Sequence, residues 1–308
     1  MGLKIQKNNI YGWLASTTNN VVSSVIASAL FAILFSKLFE YSDAEFSRKS
    51  LCIIIGASFI LLSLILFFLI RYFSNKKFIP IKAIVFDFDG TLSKIKRVGI
   101  TSPWELIWLK LGYKIADCKK LYTKFYDGKI THKRWCRLTY QKFKSKKLTE
   151  KHLEEVSKDF ELLANVKEVL EQLKERGVRL YLVSGSIMHL IKYIWNDELD
   201  YYFDRYEANV FRFKNNELVE IKGTDYDFKG KAVFIKEIFK HLQLKSPKEI
   251  LFIGNSDNDE YARKSGARTL CLNGALTNPY NKNAWDDTYK TDDFIELMAY
   301  IEKKYLIK

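Results

Sequence analysis

At 308 residues, 48% of them apolar, the chain can hold one good-sized domain with an appendage and has enough apolar side chains to fill a core. A formal net charge of +14 raises nucleic acid as a partner, yet the lysines are spread along the chain with no nucleic-acid-binding motif, so no nucleic acid is expected; phosphorylated ligands or an anionic membrane face suit the charge better. The four cysteines, Cys52, Cys118, Cys136 and Cys271, are too scattered for a zinc site or a disulfide framework, which fits a reducing compartment.

Residues 21–39 are almost wholly apolar and residues 51–70 carry no charge. At 1.5 Å per residue each run is long enough to cross a hydrocarbon layer of about 30 Å, so the sequence predicts two transmembrane helices. A cleaved signal sequence fits the first run poorly, because the run begins late, lacks a strongly basic start and is followed by a second span. A buried core helix fits the second poorly, because it has no polar face. Lys4 and Lys7 before the pair, with Arg71, Lys76, Lys77 and Lys82 after it, outweigh Arg48 and Lys49 in the connection, which puts both ends in the cytoplasm. The expectation is a membrane anchor over residues 1–78, a multi-pass location in the inner membrane, the lipid bilayer as a partner, and a cytoplasmic globular part over residues 79–308. Ser23, Ser24, Ala27, Ser28 and Ala32 allow close helix packing, and with it a homo-oligomer through these helices.

The globular part opens on Ile81 to Leu92, which reads I-K-A-I-V-F-D-F-D-G-T-L. Ile84, Val85 and Phe86 form an apolar run too short for a helix and rich in strand formers, and it breaks at Gly90. A buried strand ending in a tight loop follows, with Asp87 and Asp89 where the strand stops. In a parallel α/β sheet that end is where ligands bind. Asp87-Phe88-Asp89-Gly90-Thr91-Leu92 resembles the first motif of the haloacid dehalogenase superfamily, and later residues resemble its phosphoserine-phosphatase-like branch. The resemblance covers roughly Lys82 to Asn273. It implies a Rossmann-like parallel sheet flanked by helices, with a helical cap inserted after the first strand.

Apolar clusters at Trp104, Leu106, Ile107, Trp108 and Leu111 and at Leu121, Tyr122, Phe125 and Tyr126 predict helices. Two more are expected over about 150–160 and 166–176, the latter closed by Gly177. This stretch, about 94–177, resembles the superfamily's cap. It contains a basic stretch, Lys133, Arg134, Arg137, Lys142, Lys144, Lys146, Lys147 and Lys151, which reads first as a solvated helix face, then as a surface for anionic lipid or an acidic substrate. Trp104, Trp108 and Trp135 read as cap core, and none of His132, His152, His189 and His241 is assigned a catalytic role.

Val178 to Val183 is the next predicted strand, running into Ser184-Gly185-Ser186 before a helix near Ile187. A hydroxyl at a strand end followed by free N–H groups at a helix start can seat a phosphate oxygen. The position of Ser184 and Gly185 resembles the second motif. Val210–Phe213 and Glu217–Ile221 read as a strand pair around Lys214-Asn215-Asn216. Phe228-Lys229-Gly230-Lys231-Ala232 opens a helix with Val233, Ile235, Ile238 and Phe239 on its apolar face; Lys231 is expected to point into the site, with Lys229 the second choice. Glu249–Ile253 is a further strand and ends in Gly254-Asn255-Ser256-Asp257-Asn258-Asp259. The superfamily's fourth motif carries an acid directly after the glycine and another four positions later. Asp259 fills the later place, while Asn255 stands where the first acid is usual. Thr269–Leu272 is expected as the last strand and Asp292–Tyr305 as a closing helix.

The resemblance implies a phosphatase that hydrolyses a phosphate monoester through an aspartyl-phosphate. Asp87 would be the nucleophile and Asp89 the acid and base. Thr91, Ser184, Gly185 and Lys231 would hold phosphoryl oxygens, and Mg²⁺ would sit among Asp87, Asp89, Asn255 and Asp259, with Asp257 able to contribute charge. Asp89 argues against the ion-pumping ATPases, which carry Asp-Lys-Thr-Gly there, and against dehalogenases, which lack the second acid. The substrate is expected to be a small soluble phosphomonoester or a lipid phosphate. A membrane-anchored binding or signalling module that keeps the fold with little or no turnover is the alternative that Asn255 and the apolar hairpin motivate.

Overall fold

The computed structural model describes residues 79–274, 283–305 and 307, together with 56, 58 and 60–65. The chain divides into two units, Met1–Lys76 and Lys77–Lys308. In the first, the described residues are helical. No helix among the described residues is long and apolar enough to cross a membrane. The expectation of a transmembrane hairpin is corrected on that ground: residues 21–39 and most of 51–70 lie outside the described residues. The membrane anchor, the bilayer as a partner, association through these helices and a multi-pass inner-membrane location have no structural element among the described residues to rest on.

The second unit begins with β1 (Ala83–Phe86), buried along its whole length. A short antiparallel ribbon of β2 (Ser93–Ile95) and β3 (Phe160–Leu162) follows, and the chain between its strands forms four helices: α1 (Pro103–Lys110), α2 (Ile115–Tyr126), α3 (His132–Ser145) and α4 (Glu150–Ser157). Ser102 and Thr131 cap α1 and α3 by accepting the N–H of Glu105 and Arg134, which explains where these helices start. Then come α5 (Val166–Glu175), β4 (Arg179–Ile187), α6 (Met188–Ile194), α7 (Leu199–Tyr202), β5 (Arg205–Lys214), β6 (Glu217–Lys222), α8 (Lys229–His241), β7 (Ile250–Gly254), β8 (Arg268–Leu272), β9 (Asp287–Tyr289) and α9 (Phe294–Lys304).

The main sheet has the order β6-β5-β4-β1-β7-β8-β9, parallel except for β6. Alternation along β1 sends Ile84 and Phe86 to one face, where Leu170 and Leu173 of α5 and Phe294 and Leu297 of α9 cover them. Ala83 and Val85 face Phe234, Ile235 and Ile238 of α8. A sheet covered on both faces by helices is the expected Rossmann-like arrangement. The four helices after β1 form a cap with its own core, in which Trp104, Trp108, Trp135 and Phe143 meet Phe211, Leu218 and Ile221 of the β5–β6 hairpin. The three tryptophans are thus core residues, while the eight basic residues of the stretch 133–151 are exposed.

Several elements depart from the sequence expectation. β4 does not stop at Val183 but continues irregularly to Ile187, so Ser184-Gly185-Ser186 lies within a strand. β8 is not the last strand: β9 adds an edge, too short and polar to show a period. On α8 the buried face holds Lys231, Phe234, Ile235 and Ile238, while Val233 is exposed. The Asn215–Asn216 turn is as read, with both residues at positive φ, as a two-residue hairpin requires.

Candidate active site

Strand register places the site. Phe86 lies beside Leu182 of β4 and Ile253 of β7, so the residues just past these strands emerge together at the carboxyl edge of the sheet. Asp87 follows β1 directly, and its N–H donates to the carbonyl of Ile253 at 2.9 Å. Ser184 and Gly185 arrive on β4, and Asn255 follows β7. Lys231 comes from α8, its side chain wholly buried.

Lys231 is the hub. Its Nζ donates to Asp87 Oδ1 at 2.8 Å and also to Asp259 Oδ1. Lys229 is exposed and takes no part in this pair of bonds, because two residues along a helix point to nearly opposite sides. Burial works against the Lys231 charge, but Asp259 and Asp87 overcome it and hold the ammonium above its usual range. For Asp87 the balance is reversed: burial, with Asp259 adding to it, pushes the carboxyl up to about 7 against the pull of Lys231. Asp89 is pushed further, to about 8, by burial and then by Asp87.

Asp259 has both oxygens engaged. Oδ1 pairs with Lys231, and Oδ2 accepts from Asn255 N at 2.9 Å, Ser256 N at 3.0 Å and Ser256 Oγ at 3.1 Å. It therefore ties its own loop and orients the lysine. Asn255 is pressed against Gly90: a Cβ at residue 90 would run into its side-chain nitrogen, and Gly90 also has φ +75°. Only glycine meets both demands.

At this edge Asn255 Oδ1 and Thr91 Oγ1 are buried with no hydrogen-bond partner in the protein, and the buried side-chain oxygens of Asp89 and Ser186 have none beyond their interaction with each other. Buried polar atoms are ordinarily satisfied, so the edge is built to meet something polar. No group of three or more His, Cys, Asp or Glu residues suited to a metal occurs among the described residues. The orphaned amide oxygen of Asn255 is nevertheless a hard donor of the kind that Mg²⁺ takes, with the Asp87 carboxylate and the Asp89 backbone carbonyl at the end of the neighbouring strand. The residues present fit a hard cation, with an amide in place of one carboxylate.

The Ser184 hydroxyl accepts the N–H of Ser186 at 3.1 Å, which leaves its own proton to donate. The next carbonyl, Gly185 O, is held twice, by Asn209 Nδ2 at 2.7 Å and by Trp104 Nε1 of the cap at 3.1 Å. Asn209 also bonds Ser186 O at 3.0 Å and accepts from Thr224 N at 2.9 Å, so every polar end of this buried amide is used. Asp227 closes over the same turn and accepts from Asn258 Nδ2 at 2.9 Å. Sequence reasoning missed Asn209, Trp104, Asp227 and Asn258; only Asp227, two residues before Lys229-Gly230, carried a local signal.

Beside Asp227 an open cavity of about 980 Å³ lies between cap and core, lined among others by Phe125, His132, Phe228 and Tyr261. Phe125 of the cap meets Phe228 edge-on at 5.1 Å. Asp87 is not among the residues that line it.

Comparison with known proteins agrees with the geometry. Residues 81–265 match the family model described as a haloacid dehalogenase-like hydrolase. No curated protein sequence matches significantly. Among solved structures, one described as a phospho-aspartyl intermediate analogue of phosphoserine phosphatase is 21% identical, covering 74% of this chain and 100% of that one with a TM-score of 0.56. A probable phosphoserine phosphatase from Vibrio cholerae is 13% identical over 75% of this chain and 70% of that one, with a TM-score of 0.55. A hydrolase from Salmonella enterica serovar Typhi is 15% identical over 68% of each chain, with a TM-score of 0.54. At such identities the structural likeness speaks for the fold, and the family match, which spans more than half of the sequence, for membership: the chain belongs to the haloacid dehalogenase-like hydrolases.

Proposed function

We propose that the chain is a Mg²⁺-dependent hydrolase of small phosphomonoesters that works through a phosphorylated Asp87. The observation that carries this reading is the buried lysine bridge, with Lys231 between Asp87 and Asp259 at the end of the central strand. A carboxylate that must attack an anion needs its own charge and that of the phosphoryl group offset, and Lys231 stands where it can do both.

An Asp87 carboxylate oxygen attacks phosphorus as the bond to the leaving oxygen breaks, and the Asp89 carboxyl, protonated at neutral pH, gives its proton to that oxygen. The Asp89 carboxylate then takes a proton from water as the water attacks phosphorus, which frees Asp87 and inorganic phosphate and restores the acid. Ser184 donates its hydroxyl and Lys231 its ammonium to the phosphoryl oxygens, with Thr91 and the Gly185 backbone completing the cradle. The Asp87 carboxylate, the Asp89 backbone carbonyl and Asn255 would hold Mg²⁺, which supplies further charge neutralisation at the phosphoryl group and leaves the Asp89 side chain free for proton transfer. Asp259 supports this set by fixing Lys231 and the loop that carries Asn255.

The test is phosphate release by the full chain from an aryl phosphate and a panel of small alkyl phosphates with Mg²⁺. Turnover is expected, and Asp87→Asn should lower it on the order of a thousandfold or more. Equal inertness of the wild type and the variant across the panel would favour a binding module instead.

A further inference from the structure

Asp227 precedes α8 by one residue and uses its two oxygens differently. Oδ1 accepts both of its hydrogen bonds, from Phe228 N at 2.8 Å and Asn258 Nδ2 at 2.9 Å. Oδ2 takes neither, and it lies over Gly185, where a Cβ would stand 2.6 Å from it. The same residue lines the cavity between cap and core, with Phe228 beside it and His132 and Phe125 on the cap side. Asp227 therefore stands where the cavity meets the turn that carries Ser184.

A carboxylate at that junction repels an arriving phosphoryl group; Lys231 offsets the Asp227 charge through space but gives its hydrogen bonds to Asp87 and Asp259. The position is productive only for a ligand that brings a donor to it. Asp227 is near enough to Asp87 to act on its carboxyl through space and lies over Gly185 of the phosphoryl cradle, so with the phosphoryl group at Asp87 the ligand atoms beside Asp227 are the first few of the leaving group. We propose, resting on the phosphatase reading above, that Asp227 is a specificity-determining residue whose Oδ2 accepts a hydrogen bond from a hydroxyl or ammonium group borne a few bonds from the ester oxygen. The preferred substrates are then phosphate esters of amino alcohols or polyols rather than of plain alcohols.

Asp227→Asn tests this with little change of shape. Its side-chain oxygen can keep the bonds to Phe228 and Asn258, which turns an NH₂ donor toward Gly185 in place of the acceptor. With the full chain and Mg²⁺, kcat/KM is measured for ethyl, 2-hydroxyethyl and 2-aminoethyl phosphate, and the ratio of the two latter arms separates hydroxyl from ammonium. The wild type should favour at least one donor-bearing ester over ethyl phosphate by about tenfold or more, and the variant should lose about tenfold to hundredfold of that preference. Asp227→Ala, checked by thermal unfolding, should lose it as well. The proposal is overturned if the wild type shows no preference, if it hydrolyses an aryl phosphate but none of the three esters, or if both variants slow all three by one common factor. A wild type inert toward these esters and aryl phosphates alike ends the phosphatase reading and takes this proposal with it.

Discussion

Asp89 keeps its proton at neutral pH because burial and the neighbouring Asp87 push its carboxyl up to about 8, and a departing alkoxide needs such an acid. Since the protonated form exists below that pKa, kcat for an alkyl phosphate should fall as pH rises through about 8. Asp89→Asn should cost about 10²- to 10⁴-fold with an alkyl phosphate, whereas an ester of an acidic phenol needs no proton and should still give a burst of phenol before turnover stalls. Stopped-flow absorbance reads the burst, and its absence would remove Asp89 from the acid role alone. Gly90 is a second residue with a narrow requirement. Gly90→Ala adds both backbone strain at φ +75° and a collision with Asn255, so activity should fall together with a stability loss of about 1 to 3 kcal/mol in chemical denaturation.

At the scale of elements, helix phase explains why Lys231 enters the site and Lys229 does not. Residues 231, 234, 235 and 238 share the buried stripe of α8 at helical spacing, so an ammonium at 231 is carried inward with Phe234, Ile235 and Ile238. The cap reaches the site through α1, whose Trp104 indole bonds Gly185 O. Trp104→Phe keeps an aromatic ring against Trp135 and Phe211 but deletes that donor; KM should rise about two- to tenfold with the melting temperature little changed. The start of β7 is tied to that of β1 by Glu249, which pairs with Lys82 at 2.7 Å and accepts from Lys245 N and Ser246 N. Burial opposes its charge, but Lys82 and these N–H groups prevail and hold its carboxyl below the usual range. Its stabilisation is therefore present above the unfolded value near 4.5 and is lost as pH falls through the lower folded value. Glu249→Gln should destabilise by about 1 to 3 kcal/mol at pH 7, a difference that denaturation at falling pH should show shrinking below about 4.5.

For the molecule as a whole, legibility in the sequence followed distance along the chain. Asp87 to Leu92 was readable because strand, loop and paired acids lie within a dozen residues, and Lys231 because a glycine and a helix start stand next to it. Asn209 and Trp104 were not readable: each acts on Gly185 from far away in sequence, and an Asn in a strand or a Trp in an apolar cluster has no local sign of that work. β9 was hidden by its three-residue length. Apolar length alone suggested a hairpin in the first unit, and the described residues provide no helix to match it. What unites the second unit is that β1, β4 and β7 deliver their ends to one edge, where α8 supplies the only wholly buried lysine among the described residues. The most direct measurement of the account is tandem mass spectrometry on the full chain, acid-quenched during turnover of an aryl phosphate with Mg²⁺. A single phosphoryl group on the Asp87 side chain, absent from Asp87→Asn, is the expected result; turnover with no phosphorylated residue, or with the group on a different side chain, would contradict it.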